Sequence, residues 1–473
     1  MKKIFKILGV TLLVFLVYFG YTTYFKLDLI SGFSAKSMAS GHFIDNRSQE
    51  LIENNDNDIP KIDWAKNSIN ETEKYATATV FGLKERKAIY REGLGATLIN
   101  NEFDVSKPYE VPKRTKLKNN LPFPYGNNEP KDTVFDNIDY AKLNAAVAKA
   151  FDKKGEINKR TRSVLVIYKD KIIAEKYAEG INKNSKILGW SMTKSITATL
   201  YGILQKQGKI DIYKPAPIAE WANDERAKIT INDLLHMNSG LEWEEKYDKI
   251  CDATKMLFQA EDMSQSQLIK PAQFKPNTHW NYSSGTSNLL SGILRKQFKT
   301  HQEYLDFWYS ALIDKIGMNS MVVETDMAGN YVGSSYCWAT TRDWAKFGLL
   351  YLHKGNWNGE QLFDENWAKY VATPTNGSKG DYGAHFWLNA GGYYPDAPRD
   401  LYSANGYQGQ KVFIIPSQDL VIVRMGLTED AKFDFNRFLI EVVGSLRVID
   451  DDSYLKESLR MMQNKKSTSK HTK

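Results

Sequence analysis

A chain of 473 residues that is 42% hydrophobic and 12% aromatic holds enough apolar material for one large domain or two to three smaller ones, which excludes a disordered protein. Its formal charge of +7 is spread along the chain with no basic block interleaved with aromatics, which argues against a nucleic-acid partner. Cys251 and Cys337 lack metal-ligand spacing, His236 and His279 are isolated, and no His/Asp/Glu cluster suggests a metal. The cysteines are expected as separate buried thiols, with pairing in an oxidising compartment as the alternative.

Taken from the N-terminus, three lysines in Met1-Lys2-Lys3-Ile4-Phe5-Lys6 precede a run from Ile7 to Phe25 without a charge. As a helix this run is about 28 Å long, close to the apolar thickness of a bilayer. The expectation is an N-terminal membrane anchor or signal over 1–26, with the lysines cytoplasmic and the remainder extracytoplasmic, or secreted if the segment is cleaved. Residues 27–75 are mostly polar and rich in Asn and Asp. Tyr75 to Phe81 alternates as a strand does, and Arg86 to Asn100 reads as turn and short strand. Five prolines between Lys107 and Pro130 mark an extended or wrapping connection. An N-terminal extension with its linker is therefore expected over 27–130, and a catalytic domain over 131–450.

Within that domain, Ile138 to Phe151 suits an amphipathic helix. Ser163–Tyr168 and Ile172–Tyr177 flank a turn at Lys169-Asp170 as a hairpin. A helix follows from Ser191 to near Gly208, another is expected over Ile229 to Leu235, and Asp343 to Leu352 is strongly amphipathic. Lys411–Ile415 and Leu420–Arg424 read as strands, Phe435 to Leu446 as a last helix, and 451–473 as a disordered basic tail. Strands early and late with helices between predict an α+β packing in which both ends of the domain share one antiparallel sheet.

Three stretches could carry chemistry. In Gly189-Trp190-Ser191-Met192-Thr193-Lys194, serine and lysine stand three apart, so they share a helix face and their side chains can meet. A serine hydroxyl needs an adjacent base, and a lysine serves if burial lowers its pKa from about 10.4. The alternative is a helix-capping serine with a solvated lysine one turn on. The same spacing at Ser453 (with Lys456) and Ser467 (with Lys470) lies in the polar tail and is read as chance. In Trp280-Asn281-Tyr282-Ser283-Ser284-Gly285, the Tyr282 phenol could relay a proton, or be a core tyrosine. In Ala404-Asn405-Gly406-Tyr407-Gln408-Gly409-Gln410, glycines at a strand start could admit a substrate carbonyl beside an N–H donor, or form an ordinary turn. Glu242, Glu244 and Glu245 could line the mouth of the site, but read first as a solvated acidic loop. Gly189 to Thr193 lacks the closing glycine of a Gly-x-Ser-x-Gly elbow.

In this order, together with Leu234-Leu235-His236-Met237-Asn238-Ser239-Gly240 and Ala339 to Gly348, these stretches resemble the serine beta-lactamase and penicillin-recognising superfamily. The resemblance covers about 135–450 and is nearest to the class C-like branch with its esterases and 6-aminohexanoate-dimer hydrolases. It implies a beta-lactamase/transpeptidase-like fold, an antiparallel sheet flanked by helices with a mostly helical subdomain. It implies Ser191 as nucleophile, Lys194 as base, Tyr282 as proton relay, and the N–H groups of Ser191 and Gln410 as oxyanion donors. Ser284, Tyr407 and Gly409 would meet the substrate, and no cofactor is implied. Two departures stand out: Tyr407-Gln408-Gly409 replaces Lys-Thr-Gly, and Tyr-x-Ser replaces Tyr-x-Asn. Both remove groups that would grip a beta-lactam or peptide. The expectation is an exported serine hydrolase of a small-molecule ester or small amide. The rivals are a beta-lactamase or D-alanyl-D-alanine carboxypeptidase, and a penicillin-binding sensor without turnover.

Overall fold

The apolar strands from the two ends of the catalytic region lie side by side. In the computed structural model, which describes residues 2–126, 128–156, 158–247, 249–428 and 432–446 (backbone alone for much of 2–23), Leu420–Gly426 pairs antiparallel with Thr161–Tyr168. They are the fourth and fifth strands of a six-stranded sheet, in the order Trp387–Leu388, Tyr402–Gly406, Gln410–Ile415, Leu420–Gly426, Thr161–Tyr168 and Lys171–Tyr177. Every residue of these two strands is buried, because helices cover both faces. Side chains alternate across a strand, so Leu165, Ile167, Val421 and Val423 face one core while Val164, Val166, Leu420 and Ile422 face another.

The second core is closed by helices Tyr140–Lys149 and Phe435–Val443. The first is closed by Met192–Lys206 and Thr341–Leu352, and it continues into the helical layer around Trp221, Trp308 and Trp344. The Thr341–Leu352 helix comes down on the sheet at Gly348, where a Cβ would lie 2.7 Å from Val421 and 2.8 Å from Val412. The shared antiparallel sheet expected from sequence is therefore present.

Sequence gave no sign of the element that packs the extension. A helix runs from Lys2 to Asp45, and its second half lies on a four-stranded antiparallel sheet, Ala65–Asn70, Tyr75–Val80, Leu83–Arg91 and Gly95–Ile99. The contact is made by small side chains, with Ala35 and Ala39 against Ala76, Ala78, Ala88 and Ala96, all fully buried. Buried Ser31, Ser34, Ala35, Ala39 and Ser40 bring helix and sheet close, and the larger buried residues Leu27, Ile30 and Met38 are interspersed among them, which dilutes the apolar period over 27–45.

The membrane anchor is a correction. The apolar run from Ile7 to Phe25 is the leading part of this longer helix, and most of its side chains lie outside the described residues. Among the described residues no helix is long and apolar enough to cross a membrane. Membrane attachment, and the extracytoplasmic location inferred from it, are therefore withdrawn. The tail at 451–473 lies outside the described residues.

A buried ion pair fastens the extension to the catalytic region. Lys36 Nζ lies 2.6 Å from Glu324 Oε2, both almost without solvent contact. Glu324 also accepts from Ser40 Oγ (2.8 Å), the Ala96 N–H (2.7 Å) and Trp338 Nε1 (2.9 Å). A second cluster joins Arg47 and Arg162 across Asp56, whose carboxyl is held well below the carboxylate range by the two guanidinium groups against the opposing effect of burial. The proline-rich segment runs extended over the helical layer, with Arg114 on Asp314 and Leu117 on Asn319.

Removing one partner of a buried pair strands the other charge. Lys36→Met is expected to lower stability by about 3 kcal/mol, read as a fall in the urea midpoint. The double variant Lys36→Met/Glu324→Met should recover much of that loss.

Candidate active site

The nucleophile loop is built by tight packing before the helix begins. Gly189 donates its N–H to the Cys337 carbonyl at 2.8 Å, and a Cβ on it would lie 2.2 Å from the Trp344 ring. Trp190 is held at φ 47°, a region costly for a bulky residue, so its neighbours must impose it. Its ring contacts Phe33 of the N-terminal helix (6.1 Å between centroids), Tyr336 (5.8 Å) and Tyr407 (5.7 Å). Ser191 then opens the Met192–Lys206 helix, and its hydroxyl makes no capping bond. The capping alternative is thereby removed.

Lys194 is buried with 2% of its surface exposed. Its Nζ lies 3.0 Å from Ser191 Oγ, 2.9 Å from Ser284 Oγ and 3.0 Å from the Ser334 carbonyl. It is 4.9 Å from the centre of the Tyr282 ring. Burial pushes its pKa down to about 8, against the opposing charge of Glu245. The Tyr282 phenol moves the other way. Burial and the Glu245 carboxylate raise it, while its hydrogen bond with Ser191 lowers it less. One group is thus able to take a proton near neutral pH, and the other stays a donor.

Ser191, Lys194, Tyr282 and Ser284 lie together, Ser284 fully buried between Lys194 and Glu245. Tyr407 lies edge-on to Trp190 beside them. The turn from Gly406 to Gln410 closes the hairpin between strands Tyr402–Gly406 and Gln410–Ile415, and a Cβ on Gly406 would lie 2.0 Å from the Gly189 carbonyl. That glycine is required for the strand to reach the nucleophile loop. Arg424, fully buried, donates to the Gln408 and Gly409 carbonyls at 3.3 and 3.0 Å and holds the turn from below. The Gln410 side chain points inward, its Nε2 on the Tyr407 carbonyl (3.1 Å) and its Oε1 accepting the Gly426 N–H (2.9 Å).

Two participants escape the sequence reading. The Ser334 carbonyl carries no signal, since any residue offers one. Glu245, which sequence leaves between the mouth of the site and a solvated loop, accepts from the Ser284 N–H (2.8 Å), Ser284 Oγ (2.5 Å), Trp243 Nε1 (2.6 Å) and the Tyr247 hydroxyl. The tryptophan inside Glu242-Trp243-Glu244-Glu245 is a trace of this, because a solvated acidic loop has no use for a buried indole. The histidines are structural: His236 Nδ1 meets Thr375 Oγ1 at 2.7 Å, and His279 stacks on Phe274. Cys251 and Cys337 are free and buried.

With this geometry in place, the chain matches the beta-lactamase family over residues 147–438. It belongs to that family. Its fold is the beta-lactamase/transpeptidase-like α+β fold. The family member is a serine hydrolase of the ester- and amide-cleaving type. It is 23% identical over 301 residues to a 6-aminohexanoate-dimer hydrolase of Paenarthrobacter ureafaciens, covering 57% of this chain and 73% of that one. Among solved structures it resembles a family VIII carboxylesterase (14% identity, 67% of this chain and 99% of the other, TM-score 0.51). It also resembles EstCE1, a hydrolase with promiscuous acyltransferase activity (11%, 65% and 98%, TM-score 0.50).

The direction of the Lys194 pKa makes two measurements predictable. If the neutral amine is the active form, kcat/KM should rise with pH through a midpoint near 8. Between about 8 and the ordinary 10.5 the unfolded chain holds one proton more at this residue, so its contribution to stability rises with pH across that window. Lys194→Met should abolish both the activity and this part of the pH dependence of melting.

Proposed function

We propose that Ser191 attacks the carbonyl of a carboxylic ester or small linear amide, forming an acyl-enzyme that water then resolves. The observation that carries this is the buried Lys194 amine 3.0 Å from Ser191 Oγ, with burial lowering its pKa to about 8. In acylation Ser191 Oγ bonds the carbonyl carbon as its proton passes to Lys194 Nζ. The leaving oxygen or nitrogen takes a proton from the Tyr282 phenol, which Lys194 refills. In deacylation a water is activated by the same pair, and Ser191 recovers its proton. The Ser191 N–H, at the positive end of the helix, and an N–H of the Gly406–Gln410 turn, where sequence points to Gln410, hold the oxyanion.

The preference for a neutral ester or linear amide rests on what surrounds the serine. Trp190, Tyr247, Tyr282 and Tyr407 are aromatic, and Tyr407-Gln408-Gly409 stands where a penicillin-recognising enzyme has Lys-Thr-Gly. A beta-lactam or peptide carboxylate would lose its usual cation there. The names of the relatives, an amide hydrolase and a carboxylesterase, support the same class.

The test treats the purified protein with p-nitrophenyl esters, a fluorophosphonate and a fluorescent penicillin, and maps adducts by mass spectrometry. Ester turnover is expected to fall about ten-thousandfold in Ser191→Ala, with a phosphonate adduct on Ser191 and little penicillin labelling. Durable penicillin labelling without turnover would favour a sensor, and rapid penicillin hydrolysis a beta-lactamase.

A further inference from the structure

Ser284 stands between two charged groups. Its hydroxyl lies 2.9 Å from Lys194 Nζ and 2.5 Å from Glu245 Oε1, while its own N–H donates to Glu245 Oε2 at 2.8 Å. A carboxylate can only accept, and a hydroxyl has one proton. The Ser284 proton is therefore committed to Glu245, which leaves the oxygen as an acceptor towards Lys194. Trp243 Nε1 and the Tyr247 hydroxyl also donate to Glu245, fixing it in place.

This arrangement sorts the bonds of the amine. Protonated, Lys194 has three N–H groups for three acceptors: Ser284 Oγ, the Ser334 carbonyl and Ser191 Oγ. Neutral, it has two N–H groups and a lone pair. The Ser334 carbonyl and the committed Ser284 oxygen accept the two, so the lone pair falls to Ser191, the one partner with a proton to give.

We propose that Glu245 is a positioning residue acting through Ser284, aiming the Lys194 lone pair at Ser191 and supplying the counter-charge for the ammonium formed during acylation. This rests on the Ser191–Lys194 reading above. As Ser191 Oγ bonds the carbonyl carbon its proton moves to Lys194 Nζ, and the new ammonium is bound by Ser284, whose own proton stays on the Glu245 side. Glu245 neither gains nor loses a proton. Among the described residues, the titratable groups facing the pair are the Tyr282 phenol and His385 on the Lys194 side, with Tyr247, Tyr282 and Tyr382 on the Glu245 side. Burial pushes His385 down to about 3 and raises the three phenols.

The experiment follows phosphonylation of Ser191 by a neutral alkyl fluorophosphonate from pH 5.5 to 10, by intact mass, in the full chain and its variants. This needs no substrate turnover. In the unsubstituted enzyme the rate should rise with a midpoint near 8. In Glu245→Gln the midpoint should fall by about one pH unit, and the plateau rate roughly three- to tenfold, because a less basic amine is a weaker base. Ser284→Ala, which removes the bridge and keeps the carboxylate, should shift the midpoint the same way and serves if Glu245→Gln does not melt cooperatively. A merely structural Glu245 would lower the rate and leave the midpoint unmoved, and that result overturns the proposal. Failure to form any Ser191 adduct in the unsubstituted enzyme overturns the parent reading and this inference together.

Discussion

A primary amine sealed away from water is the constraint on which this structure depends. Withdrawing Lys194 from solvent costs several kcal/mol if the charge is kept, and the fold arranges three oxygens to receive its protons. The result is a base poised near neutrality rather than a surface cation. Each surrounding element contributes to that seal: the Met192–Lys206 helix carries the lysine, the Ser284–Arg295 helix brings Ser284, and the segment before strand Cys337–Thr340 brings the Ser334 carbonyl. No one of these segments alone could depress the pKa, because desolvation is a property of the packed site.

The N-terminal extension belongs to the same physical arrangement. Phe33 stacks on Trp190, the residue immediately before the serine, and Trp190 is in a conformation that its neighbours must enforce. Three residues further along the same helix, Lys36 is locked to Glu324, which also accepts from Trp338 on the strand beside the nucleophile loop. The extension therefore packs against the loop that presents the serine. Its alanine-lined contact with a four-stranded sheet makes helix and sheet one support for that loop.

Particular residues show how far the chain could be read without coordinates. The hairpin at 163–177 and the strands near 411–415 and 420–424 were legible as short apolar, β-branched runs bounded by turns, and the helix at 343–352 because its apolar side chains recur at the helical period. The helix through 27–45 was hidden because serines and alanines, which shorten the distance between backbones, make up much of its buried face and dilute the few larger apolar residues, Leu27, Ile30 and Met38. The place of Glu245 could not be chosen from sequence for a related reason. Composition reports that a carboxylate is present, and only its four donors, drawn from positions 243, 247 and 284, reveal that it is not solvated.

By itself the sequence determined what is local and periodic: the alternating strands, the amphipathic helices, and the three-residue spacing that puts a serine and a lysine on one helix face. It also determined which motifs occur in which order, and hence the family. Tertiary structure alone decided that the lysine is dry, that Ser284 links it to Glu245, that Gly406 presses on the nucleophile loop, and that the N-terminal helix runs on into the protein. Those outcomes depend on dielectric environment and on contacts between residues as far apart as 36 and 324, and neither quantity is encoded in the spacing of neighbours along a chain.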